Sequence, residues 1–157
     1  MNKYATAALA RRLMIEHGLG HWTFQFDNAK RRFGQCRFGT QTISLSAPLC
    51  AINDEARVRN TILHEIAHAL VGPGHGHDIV WRLRAREIGC DGRRCADGSD
   101  VAAPAHSWTG RCPSCSDTIG RHRLTEKAQR VACSACCRKY NGGRYDARFK
   151  FEWRKAA

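Results

Sequence analysis

The 157-residue sequence has no apolar run near 18 residues, which excludes a membrane-spanning helix. It also lacks a secretory pattern at its N-terminus, where Ala7-Ala8-Leu9-Ala10 is a short apolar patch cut by Arg11-Arg12. No internal repeat and no low-complexity tract is visible. The expectation is a cytoplasmic chain with no membrane partner, long enough for one domain and a small appendage. Acidic side chains are scarce: 14 Asp and Glu stand against 26 Lys and Arg, for a formal net charge of +12. Much of the excess is local, with twelve Lys and Arg against four Asp and Glu between Pro104 and Ala157. A basic excess so concentrated predicts a polyanionic partner, nucleic acid foremost. What the chain has in quantity is cysteine, nine in all, an odd number. In a reducing compartment such usage points to metal rather than to disulfides.

Taken in order, Lys3 to His17 reads as an Ala-rich helix stopped by Gly18. Trp22-Thr23-Phe24-Gln25-Phe26 alternates apolar and polar, as a strand does. Gly34 to Phe38 and Gln41 to Ser46 read as a hairpin with its turn near Gly39, and Pro48 ends the sheet. Asn53 and Asp54 are N-cap candidates for a central helix, with Glu55 in its first turn. Val58, Ile62, Ile66 and Leu70 recur every four residues and predict its core-facing stripe. Gly72-Pro73-Gly74 breaks that helix. A second helix is expected from Asp78 to Ile88, with Trp81, Ala85 and Ile88 on one face and Gly89 as its stop. Gly89 to Ser107 reads as a linker or loop.

The central helix carries His64, Glu65 and His68 within an otherwise apolar stretch. On a helix, His64 and His68 lie about 40° apart, one turn apart on one face. Two imidazoles so placed can hold one Zn²⁺, with Glu65 beside them to act on water. Three polar groups in an apolar segment would be costly to bury without partners. This His-Glu-x-x-His spacing is the zincin metalloprotease signature. A catalytic zinc needs a third protein ligand and an open position. The chain can return to the helix face after the glycine break, so His75 and His77 are the candidates. No Asp or Glu lies between His68 and His75.

The run Leu63-His64-Glu65-Ile66-Ala67-His68-Ala69, the Gly-containing break and a His-x-x-x-Trp pattern together resemble the SprT-like (Spartan-related) zinc metalloprotease family. Its pattern has a third histidine four residues before a bulky aromatic, close to His-Gly-x-x-Phe/Trp. His77 with Trp81 matches, whereas His75 is followed at that offset by Ile79. The resemblance therefore implies His77 as third ligand, with His75 as the alternative. Asp78 stands where the family often has Gly. Gly34-Gln35-Cys36 followed by Ile43-Ser44-Leu45-Ser46 is also similar to the family's N-terminal part, and the whole resemblance covers roughly residues 4 to 140. It implies peptide-bond hydrolysis with Glu65 as catalytic base, protein substrates and a catalytic Zn²⁺. Spartan-type relatives cleave proteins trapped on DNA and are switched on by DNA, which makes DNA an expected partner.

The tail carries Cys112-Pro-Ser-Cys115 and Cys133-Ser-Ala-Cys136. Two such pairs can close a tetrahedral structural Zn²⁺ site of the zinc-ribbon kind. Cys137 adjoins the second pair. Cys90 and Cys95 read as structural thiols, or as a weak further site with His106. Cys36 and Cys50 read as small core residues. Arg121, Arg123, Arg130, Arg138, Lys139 and Arg144 are the candidate DNA contacts. Trp108, Tyr140, Tyr145, Phe149 and Trp153 are available either for base stacking or for packing the ribbon. The expected fold class is α+β. A zincin-like metalloprotease domain (N-terminal helix, small sheet, active-site helix, following helix) spans 1–89. A linker spans 90–107 and a basic β zinc-ribbon domain 108–157. The competing reading is a non-enzymatic nucleic-acid-binding zinc-ribbon protein. An intact Glu65 argues against it, since a structural site has no use for that carboxylate.

Overall fold

A computed structural model describes residues 1–94 and 101–156. The chain divides into two units, Met1–Pro104 and Ala105–Ala157, each with its own apolar cluster. The first begins with helix α1 (Lys3–Glu16), whose N-cap Asn2 side chain accepts from the Ala5 N–H. Leu9, Ala10, Leu13 and Met14 form its buried side. Gly18, at φ 77°, turns the chain where an L side chain would be strained.

Three short strands follow: β1 (Thr23–Asp27), β2 (Gly34–Arg37) and β3 (Thr42–Ser46). β2 and β3 form the hairpin read from the sequence, antiparallel with Gly34 opposite Leu45. Their order in space is β1-β3-β2, with β1 parallel to β3. Every residue of β3 is buried, as the central strand requires. Two of its polar side chains find partners at and just after the end of β1: Ser44 donates to Asp27 and Ser46 to the Ala29 carbonyl.

The sheet ends at Ser46, ahead of Pro48, as the sequence reads. A further helix, α2 (Ala47–Ile52), starts directly after β3, with the Ser46 hydroxyl accepting from the Leu49 N–H. Pro48 sits in its first turn, where a missing N–H costs no helical bond. Asn53 closes α2 and does not cap the next helix. Its amide donates to the Leu49 and Ala102 carbonyls and accepts from the Ala102 N–H.

Asp54 is the cap of helix α3 (Glu55–Val71), accepting from the Arg57 N–H. Val58, Ile62 and Ile66 are 0% exposed and form the stripe that α3 buries, while Leu70 is only half-buried near the helix end. Gly72 ends α3 at φ 86°. Helix α4 (Ile79–Glu87) is capped by Asp78 and buries Trp81 and Ala85, and Gly89 follows at φ 88°. No helix among the described residues is long and apolar enough to cross a membrane.

The second unit is a three-stranded antiparallel sheet of β4 (Trp108–Arg111), β5 (Thr118–Arg121) and β6 (Glu152–Lys155), in the order β5-β4-β6. Helices α5 (Glu126–Gln129) and α6 (Ser134–Asn141) lie between β5 and β6. The architecture is α+β, as the sequence predicts, although the appendage is less purely β than its cysteine pattern suggests.

Ile62→Ala should cost about 2–5 kcal/mol, because a fully buried side chain leaves a cavity where α3 meets the core. Urea denaturation, with the midpoint falling at constant slope, checks this.

Candidate metal centres

One helical turn brings His64 and His68 of α3 side by side, with ring centroids 5.0 Å apart. The third ring comes from His77, in the segment between α3 and α4. Its Nε2 lies 3.0 Å from His64 Nε2 and 3.2 Å from His68 Nε2. A neutral imidazole nitrogen carries either a proton or a single lone pair, so one Nε2 cannot complete hydrogen bonds to two other ring nitrogens of this kind in both directions. A shared cation resolves the arrangement. Four donors around Zn²⁺ at 2.0–2.1 Å would stand about 3.3 Å apart, close to the spacing found. The three rings thus fit a metal as a facial set with further positions open.

The electrostatics agree with this use. Burial, reinforced by the neighbouring imidazoles, holds His64 down to about 4 and His68 likewise to about 4. Burial and the Arg94 charge lower His77 as well. All three rings therefore keep neutral lone pairs at neutral pH, the form that binds metal. Trp81 fixes them from behind. It is 0% exposed, stacks on His68 at 5.1 Å, and meets His64 and His77 edge-on, each at 4.6 Å. Here lies the physical content of the His-x-x-x-Trp spacing: the aromatic, one turn into α4, is the wall for all three rings. His75 faces elsewhere, its Nδ1 2.8 Å from Asp78 Oδ2. Asp78 is thereby doubly engaged, since its other oxygen caps α4 by accepting from the Trp81 N–H.

Glu65 points to a different neighbour. It is buried, and its carboxylate accepts the backbone N–H of Cys36 in β2. Burial raises it to about 7, against the opposing influence of that N–H and of Arg32. A carboxylate with proton affinity near neutrality suits proton transfer in either direction. Cys36 is half-buried beside it and is not a plain core residue. Burial and then the Glu65 charge push its thiol up to about 12, so it stays protonated. Cys50, by contrast, is a core residue at 1% exposure. Arg32 had no sequence signal. It is held near Glu65 by Asp27, at 2.7 Å, and by the Gln35 side chain.

The second unit brings Cys112, Cys115, Cys133 and Cys136 together. Cys112 Sγ is 3.8 Å from Cys136 Sγ, and Cys115 Sγ is 3.7 Å from Cys133 Sγ. Those separations are far too long for disulfides. They match the edge of an S₄ tetrahedron around zinc, about 3.8 Å for Zn–S of 2.3 Å. The first pair lies in the β4–β5 turn, where the Cys112 carbonyl accepts from the Ser116 N–H. The second pair opens α6, with Cys133 at its N-cap. Burial opposes ionisation of Cys112, yet the N–H groups of Cys115 and Ser114 outweigh it and hold that thiol below its ordinary value. Cys137 is buried beside the set but outside it.

Cys90 packs into the core of the first unit, and His106 lies against His122 in the second. Cys95 lies outside the described residues. Arg121, Arg123, Arg130, Arg138, Lys139 and Arg144 are all exposed. Of the five candidate aromatics, Tyr140 and Tyr145 are exposed, Trp108 and Trp153 are half-buried, and Phe149 belongs to the core, out of reach for stacking.

His77→Ala should weaken metal binding at the first centre by at least about 100-fold, while His75→Ala leaves it unchanged, as competition with a chromogenic chelator would measure. Four of the six residues in the buried cluster of the second unit are cysteines, Cys112, Cys133, Cys136 and Cys137, the others being Phe149 and Phe151. Chelation of the full chain, or Cys133→Ser, should therefore unfold that unit and leave the first protected, read by amide hydrogen exchange.

A model of the SprT-like family matches residues 5–103. A crystal structure of the metallopeptidase zymogen of Methanocaldococcus jannaschii jannalysin is similar at 17% identity over 60% of this chain and 85% of that one, with a TM-score of 0.47, a likeness too distant to bear on activity. The family match spans most of α1, the sheet, α3, α4 and the three converging histidines, and on it the chain belongs to the SprT-like family.

Proposed function

We propose that the protein is a zinc-dependent metallopeptidase that acts on proteins bound or crosslinked to DNA. The observation that carries the peptidase reading is the convergence of His64, His68 and His77 with a buried Glu65 one residue along the same helix. Three nitrogen donors in one centre and four sulfurs in the other suit Zn²⁺ better than the hard, oxygen-seeking cations. When bound by the histidines, zinc supplies a Lewis acid that polarises a peptide carbonyl and acidifies water. The three neutral rings hold that position, and Trp81 closes it on the inner side. Glu65 takes the proton of the attacking water on its carboxylate and returns it to the departing amine. Its elevated proton affinity makes both transfers accessible near pH 7.

The DNA part of the reading rests on charge and on the Spartan-type resemblance. The second unit exposes the six Arg and Lys residues named above, together with Tyr140 and Tyr145. Cations contact phosphates and exposed aromatic faces stack on bases, a combination suited to single strands.

Casein or self-cleavage assays with and without single-stranded DNA, on wild type and Glu65→Gln, test the proposal. Glu65→Gln should keep its metal and lose at least about 100-fold in rate. DNA should bind both proteins with affinity falling steeply as salt rises. Full hydrolysis by Glu65→Gln would remove Glu65 as the base. DNA binding without hydrolysis by wild type would favour the non-enzymatic alternative.

A further inference from the structure

Glycine is an unfavourable choice in a strand, because it forfeits packing and costs backbone entropy. Gly34 nevertheless opens β2, paired opposite Leu45. Its φ is not positive, so no turn conformation demands glycine there. The close neighbour explains it. A Cβ at position 34 would lie 2.6 Å from Glu65 Oε1, 2.7 Å from its Cγ and 3.0 Å from its Cδ. No ordinary contact is that short. Two residues along the same strand, the Cys36 N–H donates to the Glu65 carboxylate.

We propose that Gly34 is a positioning residue for the reaction: its bare backbone lets the Glu65 carboxylate lie against β2, where the Cys36 N–H holds it. The side chain is thereby pinned at both points, seated on position 34 and anchored at position 36. An alanine Cβ would push the carboxylate off this seat. The atoms it meets belong to the end of a side chain rather than to backbone, so the fold can give way, and what moves is the proton-transferring group. A displacement of about 1 Å at such a group can cost about 100-fold in rate. A glycine needed only for folding would behave differently, since its loss would destabilise the chain whatever stood at position 65. The inference rests on Glu65 acting as the base.

The test compares full-length wild type, Gly34→Ala, Glu65→Ala, Gly34→Ala/Glu65→Ala and Glu65→Gln. Gly34→Ala should lower kcat at least about tenfold, with KM within about twofold and metal per chain unchanged. It should also lower the melting temperature in the wild-type background but not in the Glu65→Ala background, where the three closest atoms are gone and Gly→Ala by itself is neutral or stabilising. Wild-type kcat in Gly34→Ala, or an equal melting-temperature loss in both backgrounds, overturns the proposal. Wild-type turnover by Glu65→Gln would instead defeat the assignment of the base, and the pair of melting temperatures would still report whether Gly34 seats that carboxylate.

Discussion

Three polar side chains carried on a core helix are the constraint that the first unit is built around. α3 must bury Val58, Ile62 and Ile66 to hold the unit together, and the same helix buries Glu65 and leaves His64 and His68 half-buried. Half-buried imidazoles and a buried carboxyl are costly unless each has a partner. The structure supplies partners from three directions. His77 returns across the glycine break to complete the nitrogen set, Trp81 packs behind the three rings, and β2 brings a backbone N–H to Glu65. Desolvation then has opposite effects on the two kinds of group. It keeps the imidazoles neutral and raises the proton affinity of the carboxyl.

The second unit solves a different problem. Its buried cluster is small and consists mostly of cysteine, so apolar burial alone provides little stabilisation. Bringing four sulfurs into a tetrahedron substitutes a metal for a core. The two cysteine pairs reach the site by different local structures, a turn between β4 and β5 and the start of α6. The turn presents backbone N–H groups to the Cys112 sulfur, which favours its thiolate form. With the buried volume so small, most side chains are left outside, and many of those are basic.

Much of this was legible before any coordinates. The α3 stripe, its break at Gly72-Pro73-Gly74 and the limits of α4 follow from four-residue periodicity and from caps, which are local properties. What was missed was local as well. Pro48 ends the sheet, but it is also compatible with a first helical turn, and only the Ser46 cap shows that α2 starts there. Asn53 and Asp54 both have capping side chains, and their division of labour depends on Ala102, far along the chain. Phe149 cannot be told from Tyr140 or Tyr145 by composition, although one is buried and the others are exposed.

By itself, the sequence determined the residue types and spacings that chemistry requires: two histidines one turn apart with a glutamate between them, an aromatic four residues after a third histidine, and two Cys-x-x-Cys pairs. Helical periodicity and short loops are written in neighbouring residues, so these could be read directly. Tertiary structure realised what the His77–Trp81 spacing only suggested about the third histidine, because only the fold turns His77 toward α3 and His75 toward Asp78. It alone inserted β3 between β1 and β2, and so set Gly34 and Cys36 against Glu65. Those contacts join residues some thirty positions apart, and no local pattern encodes a meeting that depends on how a sheet and a helix pack.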